Sequence, residues 1–393
     1  MIDIRLALYG SAALALALCG GITNAAAKSH PIAVAYHIDP AHDGTIKMPA
    51  SFTGPLPMRW MHEFEGMVSY PVIVNGIVFV TVANPVAYGT QLYALNLRTG
   101  EVLWQRPING TYYWSSAAYD KGRLFVVNFD GLVQAFSADN VGTQLWASQM
   151  PDEWAFSAPL TAYNGQVFVA GAGDAGELYA VDEATGHVNW KTLVANGAYS
   201  SPAIGDGNVY VTYDCNYYRF NVRGILFWYT YLGCGGGGGN TPAYYQNRLY
   251  VRDMALNKVV LNADTGAIIG PLASIEPPAF WQDGSGNKYQ LDLIDQTLTA
   301  IDPDTGTERW SFSGDKTLSS APIIVNGTAI IGSGFGNLYL LDAATGKQLW
   351  STQLGEPVAP SVRDGLPTTG IAAGLNTLVV PASYRLIAFA GKN

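Results

Sequence analysis

Residues 92–104, LYALNLRTGEVLW, contain the pattern on which the fold prediction rests. Apolar side chains alternate with polar ones up to an Asp or Asn, a Thr-Gly pair follows, and a Trp stands four positions after the glycine. Residues 178–190, 298–310 and 338–350 repeat this arrangement. Alternation with a period of two predicts a half-buried strand, and Thr-Gly predicts a turn, so each copy predicts two strands joined by a turn.

A tryptophan at this place recurs along the chain with a nearly constant spacing. Successive positions are 38 to 44 residues apart: Trp60, Trp104, Trp146, Trp190, Trp228, Gly270, Trp310 and Trp350. A repeat of ~40 to 50 residues built from strands is typical of propeller blades. Because a flat indole can pack between blades while its N–H finds a backbone acceptor, we expect these tryptophans to be structural. Gly270-Pro271 replaces one of them, and the contact of that blade with the next is expected to be the weakest in the ring.

Turn dipeptides upstream of the Thr-Gly pairs predict a further hairpin in each repeat. Asn-Gly and Asp-Gly accept the positive φ of a two-residue turn. The dipeptides are Asn75-Gly76, Lys121-Gly122, Asn164-Gly165, Asp206-Gly207, Asp283-Gly284 and Asn326-Gly327. Each repeat is therefore predicted to be a four-stranded antiparallel blade.

The two ends of the chain supply incomplete sets of strands. Residues 58–64 form a tryptophan strand with nothing before it, and residues 370–390 supply three strands with no tryptophan strand after them. Pairing these segments in one shared blade would remove open sheet edges. The sequence thus predicts an eight-bladed propeller over residues 56–393, preceded by an extension at 28–55.

Residues 1–27 have the pattern of a signal peptide. Arg5 provides the positive charge, residues 6–18 are apolar or small, and residues 25–27 are alanines suited to a signal peptidase. We therefore expect an exported protein, periplasmic or secreted, with no transmembrane segment in the mature chain. Lipid anchoring at Cys19 is the less favoured alternative, because Leu18 stands where a small residue normally precedes a lipidated cysteine.

Composition and motifs exclude several functions. The net charge of −9 is spread without basic runs, so nucleic acid is not an expected partner. Residues 302–308 resemble a calcium loop, but they lack its ligand spacing and coincide with the turn found in every repeat. Residues 37–43, which contain His37 and His42, are interpreted as a solvated turn. No serine hydrolase, zincin or haem-attachment motif occurs, so we expect no catalytic residue and no metal site.

The pattern Ala-x-Asp-x-x-Thr-Gly-x-x-x-Trp at residues 180–190 and 300–310 resembles the tryptophan-docking repeat of the quinoprotein alcohol dehydrogenase-like superfamily. In size and plain repeat content the chain is most similar to non-enzymatic, BamB-like members and to exported PQQ-repeat proteins of unassigned role. The resemblance implies an eight-bladed propeller. Enzymes of the superfamily that bind PQQ commonly carry two adjacent cysteines covering the cofactor, whereas Cys215 and Cys234 are 19 positions apart.

Cys215 and Cys234 follow the second and fourth strands of the fourth blade, so both should emerge on the same face. Export to an oxidising compartment favours a disulfide over free thiols. Such a bond would hold the glycine-rich segment 233–239 in place.

The same face contains the residues most suited to an interaction site. Short polar residues begin the innermost strands and are expected to ring the channel: Ser69, Ser115, Ser157, Ser200, Asn240, Ser320 and Thr368. Aromatic residues stand close to them: Trp114, Phe156, Tyr199, Tyr112, Tyr113 and Trp154. Two interpretations of each set stay open, because the polar residues could cap the backbone and the aromatic ones could fill the channel mouth.

Three functions follow from these observations. The first is a monomeric scaffold that binds an envelope or extracellular protein through its aromatic face. The second is a PQQ-dependent dehydrogenase assisted by Ca²⁺, for which no ligand can be assigned to a numbered position. The third is a carbohydrate or small-ligand binding module that uses the same aromatic side chains.

Overall fold

The computed structural model describes residues 32–173, 175–234, 237–362 and 365–392, and within them the regular structure is entirely β. The predicted signal peptide lies outside the described residues. None of the described residues forms a helix that could span a bilayer.

Eight four-stranded blades make up the ring, which confirms the predicted eight-bladed propeller. Blade 1 contains β3 (Val72–Val74), β4 (Ile77–Ala83), β5 (Thr90–Asn96) and β6 (Val102–Ile108). Blade 2 contains β7 (Ser115–Asp120), β8 (Arg123–Asn128), β9 (Leu132–Ser137) and β10 (Gln144–Gln149). Blade 3 contains β11 (Thr161–Tyr163), β12 (Gln166–Gly171), β13 (Glu177–Asp182) and β14 (Val188–Leu193). Blade 4 contains β15 (Ala203–Gly205), β16 (Asn208–Tyr213), β17 (Asn216–Asn221) and β18 (Leu226–Tyr231).

The remaining blades follow the same order of strands. Blade 5 contains β19 (Ala243–Tyr245), β20 (Arg248–Arg252), β21 (Lys258–Asn262) and β22 (Ile268–Pro271). Blade 6 contains β23 (Ala279–Gln282), β24 (Lys288–Ile294), β25 (Thr297–Ile301) and β26 (Glu308–Phe312). Blade 7 contains β27 (Ile323–Val325), β28 (Thr328–Gly332), β29 (Asn337–Asp342) and β30 (Gln348–Gln353). Blade 8 contains β31 (Ala372–Gly374), β32 (Thr377–Ala382), β33 (Arg385–Ala390) and the N-terminal β2 (Met58–Glu63).

The shared eighth blade confirms the predicted closure of the ring. Strand β2 pairs with β33 in antiparallel register, with Trp60 opposite Ala388. First strands of neighbouring blades adjoin one another around the channel, and fourth strands form the outer rim. We call the face where the first strands begin the loop face and the opposite one the hairpin face.

Most first hairpins turn through two residues with positive φ, as their sequences predict. Asn75 and Gly76 have φ of 53° and 75°, and Asn326 and Gly327 have 51° and 79°. The prediction of a two-residue turn at Asp283-Gly284 is wrong. That loop runs over residues 283–287, with positive φ at Gly286 and a hydrogen bond from the Asp283 N–H to the Asn287 carbonyl.

The indoles of the fourth strands contact the following blade in a common way. Six of them lie against the glycine of the turn between the third and fourth strands of the next blade, and all six donate Nε1–H to a backbone carbonyl near that glycine. The Trp104 Nε1, for example, lies 2.8 Å from the Asp139 oxygen. Trp350 packs on Gly54 instead, because the eighth blade has no Thr-Gly turn and the N-terminal extension passes there.

The N-terminal extension, residues 32–52, lies across the channel, and we call it the plug. Its carbonyls accept backbone hydrogen bonds from inner strands around the ring: Val34 from Tyr119, Pro40 from Ile204, Ala41 from Tyr244, Asp43 from Phe280 and Gly44 from Ile324. Residues 45–46 form β1, which is parallel to β27.

The interpretation of residues 37–43 as a solvated turn is therefore wrong. His37 is 4% exposed and His42 is fully buried, because the ring encloses them. Burial lowers the pKa of both imidazoles, that of His42 to about 3.

Candidate functional site

The channel is covered at the loop face by the segment that joins blades 7 and 8, of which the structure describes residues 355–362 and 365–370 and which we call the crossing loop. Ser361 hydrogen-bonds through its N–H and hydroxyl to the buried Glu276 carboxylate between blades 5 and 6. Gly365 lies against the Tyr112 ring, and the Thr368 carbonyl accepts a hydrogen bond from the Tyr70 N–H at 2.9 Å. With the plug at the other end, the channel is not an open pore.

Two small cavities lie beside the crossing loop. The first, of about 120 Å³, is lined by Tyr112, Trp114, Phe129, Ser157, Tyr199, Val362, Gly365, Leu366 and Thr368. The second, of about 260 Å³, is lined by Tyr199, Gly239, Asn240, Met254 and Val362. Tyr199 and Val362 contribute to both. The structure therefore gathers residues from the connections of several blades around one aromatic side chain.

Tyr199 is held in an unusual conformation by the glycine-rich segment. Its φ is 63°, which a bulky residue seldom adopts. A Cβ at Gly238 would collide with its ring, so the close approach requires glycine there. Cys234, at the start of this segment, forms a disulfide with Cys215, with Cα atoms 5.5 Å apart. Residues held in sparsely populated backbone conformations by their surroundings are concentrated at functional sites.

The six aromatic candidates divide by exposure. Trp154 and Tyr112 are 63% and 40% exposed, and Tyr113 and Tyr199 are half-buried. Trp114 is buried but lines the first cavity. Phe156 is fully buried, so its place in an exposed patch is wrong. Its ring occupies space left by Gly131 and Gly171, where a Cβ would collide with it.

Four of the seven polar residues predicted to ring the channel form hydrogen bonds with the backbone or with a neighbouring hydroxyl and do not line a cavity. Ser69 and Ser320 each accept a hydrogen bond from the N–H twelve residues later, at 2.9 Å, and Ser200 contacts the Thr212 hydroxyl. Ser115 is paired with Thr90 and is fully buried. Three members, Ser157, Asn240 and Thr368, border the cavities. For the four buried serines the structure therefore favours the interpretation in which the side chains cap the backbone or a neighbouring hydroxyl.

Sequence reasoning missed most of the exposed apolar residues of the loop face. Nine large apolar side chains, each at least 40% exposed, lie on its loops: Val86, Tyr88, Tyr112, Trp154, Met254, Leu256, Ile275, Phe335 and Tyr384. Turns between the second and third strands carry six of them. An apolar residue in a predicted turn was the available signal, since tight turns normally favour Gly, Asn, Asp and Ser.

The charged groups near the cavities are held by hydrogen bonds to internal partners. The Arg252 guanidinium donates to the Ile275 and Thr241 carbonyls at 2.9 and 2.8 Å. Burial raises the pKa of Glu276, while Arg252 opposes that rise. Asp253 accepts hydrogen bonds from the Cys215 N–H and the Tyr217 hydroxyl at 2.9 and 2.8 Å. These groups fix the loops, and the described residues that line the two cavities are uncharged.

The described residues that line the two cavities do not fit PQQ with Ca²⁺. PQQ carries three carboxylates, yet the described lining offers no Arg or Lys to bind them and no carboxylate to ligate calcium. Neither cavity reaches the ~300 Å³ at which ligand pockets for drug-sized molecules usually begin. No group of three or more His, Cys, Asp or Glu side chains is placed to share a metal ion among the described residues.

The comparisons with known proteins agree with the repeat pattern. The family model for outer membrane protein assembly factor BamB matches residues 57–171, 129–277 and 295–393. The chain belongs to this family. The BamB of Moranella endobia (strain PCIT) is 26% identical over 260 residues, which cover 62% of this chain and 58% of that protein. The chain thus spans a little over half the length of that curated relative.

Solved structures of two kinds share the fold. A europium-containing methanol dehydrogenase superposes with a TM-score of 0.71 at 14% identity, over 92% of this chain and 98% of the other. BamB from Moraxella catarrhalis superposes with a TM-score of 0.62 at 15% identity, over 85% and 99%. Likeness at this identity shows the propeller fold of a BamB-family chain and does not separate a dehydrogenase from an assembly factor.

Proposed function

We propose that this chain is an exported, non-catalytic propeller that binds an envelope protein through its loop face. The observation that supports the proposal is the set of nine exposed apolar side chains on the loops of that face. Solvent-exposed apolar residues grouped on one face are typical of protein interaction sites. Among the described residues, the turns of the hairpin face carry two of comparable size and exposure, Val141 and Ile225.

The rest of the architecture suits a rigid platform for binding. The crossing loop and the plug close the channel, so a partner meets a continuous surface rather than a pore. The disulfide of Cys215 and Cys234 stabilises one loop of this surface and is compatible with an oxidising compartment. Relatives of the chain are named outer membrane protein assembly factors, which makes an envelope protein the expected class of partner.

Site-specific crosslinking in cell envelopes tests this proposal. A photocrosslinking amino acid replaces Trp154, which is 63% exposed on the loop face, or Val141, which is 58% exposed on the hairpin face. We expect a discrete adduct with one envelope protein from position 154 and none from position 141. Trp114, being buried, is unsuitable for the probe.

Binding by the purified partner then measures the contribution of the face. The double substitution Trp154→Ser and Tyr88→Ser should weaken binding by about tenfold or more, because aromatic anchors carry much of the free energy of an interface. Val141→Ser should leave the affinity unchanged. Equal crosslinking from both faces, or a double variant that binds normally, would contradict the proposal.

The conformation of Tyr199 supports a second candidate, a small flat ligand beside the crossing loop. Tyr199→Gly removes the ring while keeping the positive φ. Saccharides and planar aromatic acids should quench the tryptophan fluorescence of the native protein saturably and that of the variant much less. Identical titrations of the two proteins would exclude this candidate.

A further inference from the structure

The boundary between blades 5 and 6 departs from the packing of the other blade boundaries. At the equivalent turns, the glycine is covered by an indole of the preceding blade, as Gly346 is by Trp310 and Gly266 by Trp228. Gly306 is exposed, and a Cβ built there would meet no atom within 4 Å. The cause is in strand β22, where Gly270 occupies the position of the tryptophan.

The missing indole leaves a cavity of about 510 Å³, which we call the rim slot. Its walls include Ile269, Gly270 and Pro271 from β22 and residues 301–306 of blade 6. Ile269 is 52% exposed, so the slot opens to solvent at the outer rim of the ring. It is separate from the loop-face site, with which it shares no lining residue.

The hydrogen-bond acceptor that an indole would use is present in the rim slot. Trp228 and Trp310 donate to the carbonyl three residues before the covered glycine, and the corresponding group at Gly306 is the Pro303 carbonyl. Arg248 Nη1 donates to that oxygen at 2.5 Å. A second donor can still bind, because the Ala263 carbonyl accepts from both Arg219 and Trp228, at 3.2 and 2.9 Å.

The two walls of the rim slot differ: the blade 5 wall is apolar along β22, with Ile269 and Pro271, whereas the blade 6 wall carries Asp302 and Asp304. On β22, Ile268 and Ile269 are 48% and 52% exposed. Such a border favours a polypeptide over a free water-soluble compound, because flanking side chains can bury it.

We propose that the rim slot binds a tryptophan side chain of a partner polypeptide, which takes the place of the indole that blade 5 lacks. The ring would lie on Gly306 and donate its N–H to Pro303, in the way that Trp310 uses Gly346 and Ala343. This site is independent of the loop-face function and would give the propeller a second point of attachment.

Fluorine NMR tests the proposal directly. The probe is a pentapeptide with leucine on each side of one 5-fluorotryptophan. It is titrated with unlabelled protein, whose own tryptophans carry no fluorine and give no signal. We expect saturable line broadening, with a dissociation constant on the order of 1 mM. The same peptide with 4-fluorophenylalanine, which lacks the N–H donor, should bind at least about tenfold more weakly.

Three variants locate the binding. Gly270→Trp restores the missing indole and should weaken peptide binding by at least about tenfold. Ile269→Asp places a charge at the mouth of the slot and, being half-exposed, decides the matter if Gly270→Trp does not fold. Leu193→Asp, at an exposed position on the rim of blade 3, should leave binding unchanged.

Each contrary result overturns the proposal in a distinct way. Absence of saturable broadening up to about 10 mM peptide excludes the site, since the expected affinity lies well within that range. Binding that survives both Gly270→Trp and Ile269→Asp places the peptide elsewhere. Free 5-fluoroindole that binds as tightly as the peptide assigns the slot to a small molecule and not to a polypeptide.

Discussion

Alanine at two equivalent glycines should have different costs, because an indole covers one and not the other. Gly346 and Gly306 both occupy the Thr-Gly turn, with φ of 69° and 71°. A Cβ at Gly346 would lie 2.6 Å from Trp310 Cδ2, whereas at Gly306 no atom lies within 4 Å. The two substitutions therefore share the backbone strain and differ in the contact with the indole.

The expected free energies follow from these two contributions. A left-handed conformation costs a non-glycine residue about 1–2 kcal/mol, which is the whole penalty expected for Gly306→Ala. Overpacking adds about 1–3 kcal/mol, so Gly346→Ala should destabilise the fold by about 2–5 kcal/mol. Equilibrium unfolding in urea, followed by circular dichroism, measures both. Equal penalties for the two variants would refute the idea that indoles rest on these glycines.

Three further substitutions test the plug, its buried histidine and the disulfide. Asn326→Gly keeps the positive φ but removes three hydrogen bonds to the plug, so stability should fall by about 1.5–4 kcal/mol and limited proteolysis should cut residues 47–51 faster. The pKa of His42 is about 3 in the folded state and about 6.5 in the unfolded state, so below pH 6.5 the unfolded state binds a proton that the folded state does not, and the free energy of unfolding falls. His42→Phe should reduce this loss of stability between pH 6.5 and 5 by about 2 kcal/mol in urea titrations. Replacing Cys215 and Cys234 by serine should cost about 3 kcal/mol of chain entropy, measured by thermal unfolding.

Matched controls identify the results that would contradict these expectations. Asn164→Gly changes the same turn position in blade 3, where the side chain accepts only a long hydrogen bond from Lys121, and should leave the plug protected. Identical pH profiles for the native protein and His42→Phe would mean that His42 is accessible to protons in the folded state. A native protein that melts at the same temperature with and without reductant would contradict the stabilising role of the disulfide.

The number and closure of the blades could be predicted because local signals repeat. Each Thr-Gly turn and tryptophan marks the outer hairpin of one blade, and the unpaired strands at the two ends had only each other as partners. The plug could not be predicted in this way. Histidines flanked by aspartates, as His37 and His42 are, are typical of a solvated turn, and these two are buried only because the complete ring surrounds them.

The candidate site was predicted in part for a similar reason. The sequence indicates which loops meet at one face, and Trp154 and Tyr112 are exposed there. How far each side chain is buried depends on its neighbours in other strands. Phe156 is buried because Gly131 and Gly171 leave room for its ring, a contact that only the assembled blades create.

The path of the plug has a consequence for the order in which the molecule can fold. Residues 44–51 bond to blade 7 and to Lys392, which are synthesised near the end of translation, although the segment itself is among the first to be made. The early part of the chain therefore lacks its final contacts until the last strands arrive, and such distant pairings slow folding. We expect the plug and β2 to stay without their partners during synthesis and the ring to close only after the last strands have been made.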